Sequence, residues 1–87
     1  MKPGDLVRVI KPSVPSPIEV GDMAILTEID WDHRQHPGGL SLARGGQGLG
    51  YFFFPNKPEV QRKFQREGGP LGVMLLFENF EVISEAG

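Results

Sequence analysis

Side chains that commonly bind metal ions cluster in one short stretch of the chain. Residues 30–36 read Asp-Trp-Asp-His-Arg-Gln-His, which places two carboxylates and two imidazoles within seven residues. A metal site also needs a geometry that holds such ligands in place. This polar stretch has the composition of a loop, and Arg34 in its middle opposes a cation. We therefore interpret it as an exposed loop and expect no bound metal.

A glycine-rich run at residues 45–50 has the composition of a phosphate-binding loop. Such a loop lies between a strand and the N-terminus of a helix, whose backbone amides bind the phosphate. Here a β-like segment follows the glycines, and the Gly-Lys-Ser/Thr ending is missing. We predict the tip of a hairpin and not a nucleotide site.

Possible catalytic nucleophiles have no partners in the sequence. The chain contains no cysteine, and its two histidines, His33 and His36, lie in the same stretch. No serine stands in a recognisable nucleophile turn, so neither a Ser-His-Asp nor a Cys-His arrangement is indicated. We predict that the protein is not an enzyme and uses no cofactor.

The aromatic run at residues 51–54, Tyr-Phe-Phe-Phe, is the most informative feature. Side chains alternate between the faces of a strand, so Tyr51 and Phe53 point away from Phe52 and Phe54. A small domain has one interior, so one of the two pairs needs cover from another element. A following helix supplies that cover in one interpretation. In the other, the pair stays exposed as a contact patch, as at many interfaces.

Basic residues follow the aromatic run. Residues 34–66 carry six basic side chains and one acidic side chain, whereas both flanking parts of the chain have an acidic excess. Arg62, Lys63 and Arg66 have the i, i+1, i+4 spacing of one helix face. This face is either simply solvated or, beside the aromatic run, suited to an acidic protein or a nucleic-acid backbone. The candidate partner-binding residues are Trp31, Tyr51, Phe53, Lys57, Arg62, Lys63 and Arg66.

Strands are predicted wherever β-branched and aromatic residues lie between turn signals. The predicted strands are residues 5–10, 23–29, 39–44, 49–54, 72–77 and 81–83. The segment at 72–77 is apolar on both faces, which indicates a central buried strand. A short turn is expected at 78–80, with a single 3₁₀ turn as one form of it. Three prolines within residues 12–17 prevent a strand there and favour an extended connection, with a polyproline ligand as the alternative.

One short helix is predicted near residues 57–67. Asn56 is the predicted N-cap, Pro58 suits the first turn, and Glu59 stands in the capping-box position. Val60 and Phe64 lie four residues apart and so share a face that needs the sheet to pack on.

Length and composition bound the class of protein. The 87 residues predict a single domain, 1–87, with a thin core. The absence of cysteine fits a reducing compartment. No apolar run approaches the roughly 20 residues that cross a bilayer, and the first residues lack a signal peptide. We expect a cytoplasmic protein that does not contact the membrane.

Three segments carry a resemblance to known proteins: residues 4–10, 21–26 and 76–83. Their order is similar to that of SH3-like small β-barrels. The pattern resembles KOW modules of transcription and ribosomal proteins, the small stromal subunit of photosystem I and the variable chain of ferredoxin–thioredoxin reductase. The resemblance implies an all-β, SH3-like small barrel of about five strands with one short helix inserted near residues 57–67. It also implies a phage or cyanobacterial source.

Function follows from the middle third of the chain. The leading hypothesis is a non-enzymatic protein–protein interaction module, a small accessory or regulatory subunit that docks an acidic partner through residues 51–66. The first alternative is a KOW-like nucleic-acid-binding module, whose phosphate contacts come from Arg44, Arg62, Lys63 and Arg66. The second alternative is a structural subunit of a larger assembly, such as a phage particle.

Overall fold

Five strands, one α-helix and one 3₁₀ turn make up the described part of the protein. The structure is a computed structural model, and it describes residues 1–32 and 48–86. In chain order the elements are β1 (Leu6–Val9), β2 (Met23–Asp32), β3 (Gly48–Phe53), α1 (Pro58–Phe64), β4 (Val73–Leu76), the 3₁₀ turn (Phe77–Asn79) and β5 (Phe80–Ser84). This content confirms the predicted all-β class with one short helix. No helix within the described ranges has the length and apolarity needed to cross a membrane.

The strands form one antiparallel sheet in the order β4-β3-β2-β1-β5. The long strand β2 extends to Asp32, beyond the predicted end at Ile29, because it continues to pair with β3 as far as Gly48. The register between β2 and β3 shifts twice, and shifts of this kind bend a strand and increase its twist. The result is a small, barrel-like β domain.

The prediction that residues 72–77 form a central strand is wrong. Strand β4 stands at one end of the sheet order, with only β3 beside it among the described residues. Val73 and Leu75 face the core, whereas Met74 between them is 43% exposed. Met74 is apolar but lies on the face of β4 that points away from the core, so its apolarity does not indicate burial. The local sequence does not reveal which strand lies at the end of the sheet.

Aromatic rings dominate the core. Phe52 is fully buried and stacks on Phe80 with 3.9 Å between ring centroids, while Phe77 meets it edge-on at 6.2 Å. The predicted 3₁₀ turn is present one residue earlier than expected, and it places Phe77 in this cluster. Of the aromatic run, Phe52 and Phe54 are the buried pair.

Helix α1 begins and ends at different residues from those predicted. Lys57, not Asn56, is the N-cap, and no side chain caps the helix; Pro58 in the first turn has no backbone N–H, so one donor fewer needs an acceptor there. The helix ends at Phe64, since Gln65 is extended. Val60 is buried in the core, as its spacing predicted, and Phe64 packs against the core from outside.

The proline-containing connection between β1 and β2 forms no strand, as predicted, and is attached to the rest of the molecule by side chains. The Ser13 hydroxyl donates to Oδ1 of Asn79 at 2.9 Å, and Lys63 Nζ donates to the carbonyl oxygen of Ser16 at 2.8 Å. The predicted strand at 39–44, and residues 45–47 of the hairpin tip expected at 45–50, lie outside the described residues, while residues 48–50 belong to β3.

Candidate partner-binding surface

A groove of about 280 Å³ lies between β4, the end of α1 and the connection that precedes β2. We refer to it below as the groove. Its walls are formed by Pro15, Tyr51, Phe64, Arg66, Pro70, Gly72, Val73 and Met74. Two aromatic rings, two prolines and a methionine make the groove largely apolar, and Arg66 is the one charged residue among the described residues that line it.

Pairing between β3 and β4 positions the sheet side of the groove. Tyr51 and Met74 are direct cross-strand partners, so their side chains lie on the same face of the sheet. Phe52 and Val73, the next pair, face the core. The strict alternation of side chains along β3 therefore places Tyr51 at the groove once Phe52 is buried.

Gln65 holds the other side of the groove. Its Nε2 lies within 3.3 Å of the carbonyl oxygens of Arg66, Gly69 and Pro70, and its Oε1 accepts a hydrogen bond from the Gly72 amide at 3.0 Å. One side chain thus organises the segment that joins α1 to β4. Arg66 follows Gln65 directly, so this network also sets where the Arg66 side chain begins.

The basic residues of the protein differ in whether a carboxylate pairs with them. Among the described lysines and arginines, Arg8 pairs with Glu81, Lys11 with Glu78 at 3.5 Å, and Lys57 with Asp22 and Glu19. The described lysines and arginines without a carboxylate partner are Lys2, Arg62, Lys63 and Arg66. Three of these four cations lie within five residues of one another, at the end of α1 and beside the groove.

Lys57 differs from the other predicted site residues because its charge is used inside the molecule. Its Nζ lies 2.6 Å from Oδ2 of Asp22 and 3.0 Å from Oε1 of Glu19, and it donates to the Pro17 carbonyl oxygen at 2.8 Å. The hydrogen bond to Asp22 is the main reason that the pKa of Lys57 is raised. Lys57 therefore fastens the start of α1 to the β1–β2 connection and does not contribute a free charge to the surface.

Lys63 is partly engaged in the same way. Its Nζ donates to the Ser16 carbonyl oxygen and lies 5.3 Å from the centroid of the Phe64 ring. A carbonyl and a ring face orient the ammonium but leave its charge uncompensated. Arg62 and Arg66 are exposed, and within the described ranges their side chains have neither an ion-pair nor a hydrogen-bond partner. Arg66 lies beyond the end of α1, so the predicted single helix face is wrong, although the three cations remain neighbours in the chain.

Two of the aromatic predicted site residues lie outside the groove. Phe53 shares the face of Tyr51 but pairs with Ile25, which in turn pairs with Leu6, so three half-buried apolar side chains form a row across the sheet. Trp31 is half-buried near the end of β2 opposite Leu49. The structure thus brings together Tyr51 and Arg66, with Arg62 and Lys63 close by in the chain.

Sequence reasoning missed part of the groove. Phe64 was assigned only to core cover, Met74 to a buried strand and Pro15 to a connection. The common reason is that each lies next to Tyr51 or Arg66 only after β3, α1 and β4 have packed together. Pro70, Gly72 and the apolar residues that follow predict where a strand begins. They do not predict that this strand lies at the edge of the sheet.

The groove is lined mainly by apolar side chains, with the Tyr51 phenol and the Arg66 guanidinium as its polar groups among the described residues. Its described lining includes no carboxylate, imidazole, serine or thiol. Across residues 1–32 and 48–86 no group of three or more metal-ligating side chains comes together. No protein-family model, curated protein or solved structure matches the chain, so the function is argued from the groove and its charges.

Proposed function

We propose that this protein is a protein–protein interaction module that docks an acidic partner through the groove and the neighbouring cations Arg62, Lys63 and Arg66. The observation that carries the proposal is the coincidence of two features. Three of the four described cations without a carboxylate partner lie at or just beyond the end of α1. The aromatic residues Tyr51 and Phe64 line the groove at the same place.

Residues of these types contribute strongly to protein interfaces. Tyrosine and arginine are enriched among the residues that dominate binding energy, and such residues lie in apolar pockets that exclude water. Arg66 lies among two aromatic rings and two prolines. Apolar neighbours of this kind exclude water and so strengthen an ion pair with a partner. Uncompensated positive charge also accelerates the encounter with an acidic partner. A small accessory or regulatory subunit fits these properties.

Affinity capture from the native host with charge-reversal variants tests the proposal. We expect Arg62→Glu and Arg66→Glu each to reduce the captured partner about tenfold or more, the effect of losing one dominant interfacial cation. Lys11→Glu is the control, because Lys11 is also an exposed cation and does not line the groove, and its 3.5 Å ion pair with Glu78 lies at the surface, where such pairs contribute little to stability. Circular dichroism confirms that each variant is folded. Capture of the same partner at wild-type level by both arginine variants would contradict the proposed surface.

A nucleic-acid-binding module is the second candidate, and the same cluster of cations is the observation that favours it. Arg62, Lys63 and Arg66 are its candidate phosphate contacts, while the fourth cation of that hypothesis, Arg44, lies outside the described residues. Phosphate contacts release counterions, so affinity for duplex DNA falls by roughly 0.9 log units per contact for each tenfold rise in salt. Titration of labelled duplex DNA and RNA between 50 and 200 mM salt measures this slope. No binding at 50 mM salt would remove the candidate.

Sedimentation separates the remaining alternative, a structural subunit of a larger assembly. An interaction module is expected to sediment as one species whose mass does not depend on protein concentration. A structural subunit is expected to self-associate stably. Analytical ultracentrifugation over a hundredfold range of concentration distinguishes the two.

A further inference from the structure

We infer that the ligand of the groove is an extended acidic peptide segment that adds as a strand beside β4. This inference rests on the proposed function, since it names the class of partner that the same surface accepts. It has three supports: the place of β4 in the sheet, the shape and lining of the groove, and the charge of Arg66.

Strand β4 offers main-chain groups to a further strand. It ends the sheet order, with β3 as its one neighbour among the described residues. Every second residue of an antiparallel strand directs its N–H and C=O away from the neighbouring strand. Within the described ranges, no backbone hydrogen bond from outside the sheet reaches residues 73–76. An open edge of this kind is the main-chain template to which peptides add in β-augmentation.

The groove lies where side chains of such a peptide would be placed. Val73 and Met74 of β4 line it directly, together with Tyr51 from the adjacent strand. Alternate residues of an added strand point to the same face, so one or two of them enter the groove against Tyr51 and Phe64.

Charge selects an acidic segment. Arg66 is the one charged residue that lines the groove, and Arg62 stands four residues before it, also without a carboxylate partner in the described part of the chain. A guanidinium beside apolar walls binds a carboxylate by paired, charge-assisted hydrogen bonds. A peptide with an acidic residue next to alternating apolar residues is complementary to both features.

A phage-displayed library of random dodecapeptides supplies the probe. Selection against the full chain, with Arg66→Glu protein as the counter-target, is expected to enrich peptides that combine an acidic residue with alternating apolar residues. Their synthetic versions are expected to lose affinity about tenfold or more for Arg66→Glu and for Tyr51→Ala, and less than twofold for the control Lys11→Glu. Fluorescence anisotropy measures the affinities.

Backbone methylation tests strand addition itself. Because the peptide donates alternate N–H groups to β4, N-methylation of one alternating set is expected to abolish binding, while methylation of the other set is tolerated. Amide hydrogen exchange at residues 73–76 is expected to slow when the peptide binds. Equal tolerance of both methylation patterns overturns strand addition. Enrichment of neutral or basic peptides, or of none, overturns the acidic-peptide ligand.

The two proposals fail in different ways. If host-partner capture depends on Arg66 but the library yields no acidic peptide, the interaction module stands and the peptide class is wrong. If acidic peptides bind as described but capture from the host is insensitive to Arg62 and Arg66, the groove chemistry stands and the proposed function is wrong.

Discussion

Neighbouring phenylalanines in β3 have opposite environments. Phe52 is fully buried and stacks on Phe80, whereas Phe53 is half-buried on the other face, opposite Ile25. The difference arises from the two-residue period of a strand, which sends adjacent side chains to opposite faces. The burial of Phe52 decides the orientation of the whole run and so exposes Tyr51 to the groove.

The first prediction compares leucine substitutions at these two positions. Phe52→Leu is expected to lower the free energy of unfolding by about 1–2 kcal/mol, because it removes ring stacking and leaves a small cavity. Phe53→Leu is expected to cost about 0.5 kcal/mol or less, since its side chain stays partly in water. Urea denaturation followed by circular dichroism measures both. Equal losses at the two positions would show that Phe53 contributes to the core as much as Phe52 does.

Partner capture by Phe53→Leu then reports how far the proposed surface extends. Phe53 shares a face with Tyr51 but does not line the groove. If the partner contacts only the groove, capture by this variant is expected to match the wild type. A large loss without a loss of stability would extend the interface to the row that Phe53 forms with Ile25 and Leu6.

At the scale of elements, the entry into β4 depends on a single glycine. Gly72 has a φ of +107°, and a Cβ there would collide with the carbonyl oxygen of Phe52 in β3. The left-handed backbone and the close approach of β3 both require glycine at this position. The Gly72 amide also donates a hydrogen bond to Gln65, and Gly72 lines the groove. The backbone conformation at Gly72 therefore shapes both the start of β4 and the groove.

The second prediction uses Gly68 as a matched control for Gly72. Gly68 also has a positive φ, +74°, but nothing lies within 4 Å of the Cβ that alanine would add. Gly68→Ala is expected to cost about 1–2 kcal/mol from backbone strain alone. Gly72→Ala is expected to cost about 3 kcal/mol or more, because strain and collision add. Thermal denaturation at matched concentration compares them, and similar losses would disprove the close approach of β3 and β4.

At the scale of the whole molecule, Asp5 connects the two ends of the described chain. Its side chain is buried, with Oδ2 accepting from the Lys2 amide at 2.9 Å and Oδ1 accepting from the Ala86 amide at 2.7 Å. Burial alone raises the pKa of Asp5, but the amides of Ala86 and Lys2 and the Lys2 charge outweigh it, so the pKa is lowered. The carboxylate thereby holds the residues after β5 against the start of β1.

The third prediction concerns the pH dependence of this link. Because the pKa of Asp5 is lower in the folded state, the unfolded state binds more protons, and stability rises with pH through this range. The contribution is fully present above the ordinary value of 3.8 and is lost as the pH falls through the folded-state pKa. Asp5→Ala is expected to cost about 2–3 kcal/mol at pH 7, since two amides lose a charged acceptor.

Urea denaturation of the wild type and Asp5→Ala between pH 2 and 7 checks both parts. The difference between the two proteins is expected to be constant above about pH 5 and to shrink below the ordinary aspartate pKa. A difference that persists unchanged at the lowest pH would mean that the charge of Asp5 does not stabilise the fold.

Local patterns were sufficient for most of the elements. Alternation and turn residues predicted β1, β2, β3 and β5 within a few residues, and the helix near Val60, because these signals depend on neighbours in the chain. They were insufficient for element ends. Asn56 has the right chemistry for a cap, yet Lys57 takes that position while its ammonium bonds to Asp22 and Glu19.

The sequence by itself determined the β class, the alternation of the aromatic run and the concentration of cations after it. Only the tertiary structure decided which cations are neutralised, since Arg8 and its partner Glu81 are 73 positions apart. It also decided that, among the described residues, β4 ends the sheet and Tyr51, Phe64, Arg66 and Met74 surround one groove. The physical reason is that side-chain periodicity is a local property of the backbone. Strand order and ion pairing depend instead on contacts between distant segments.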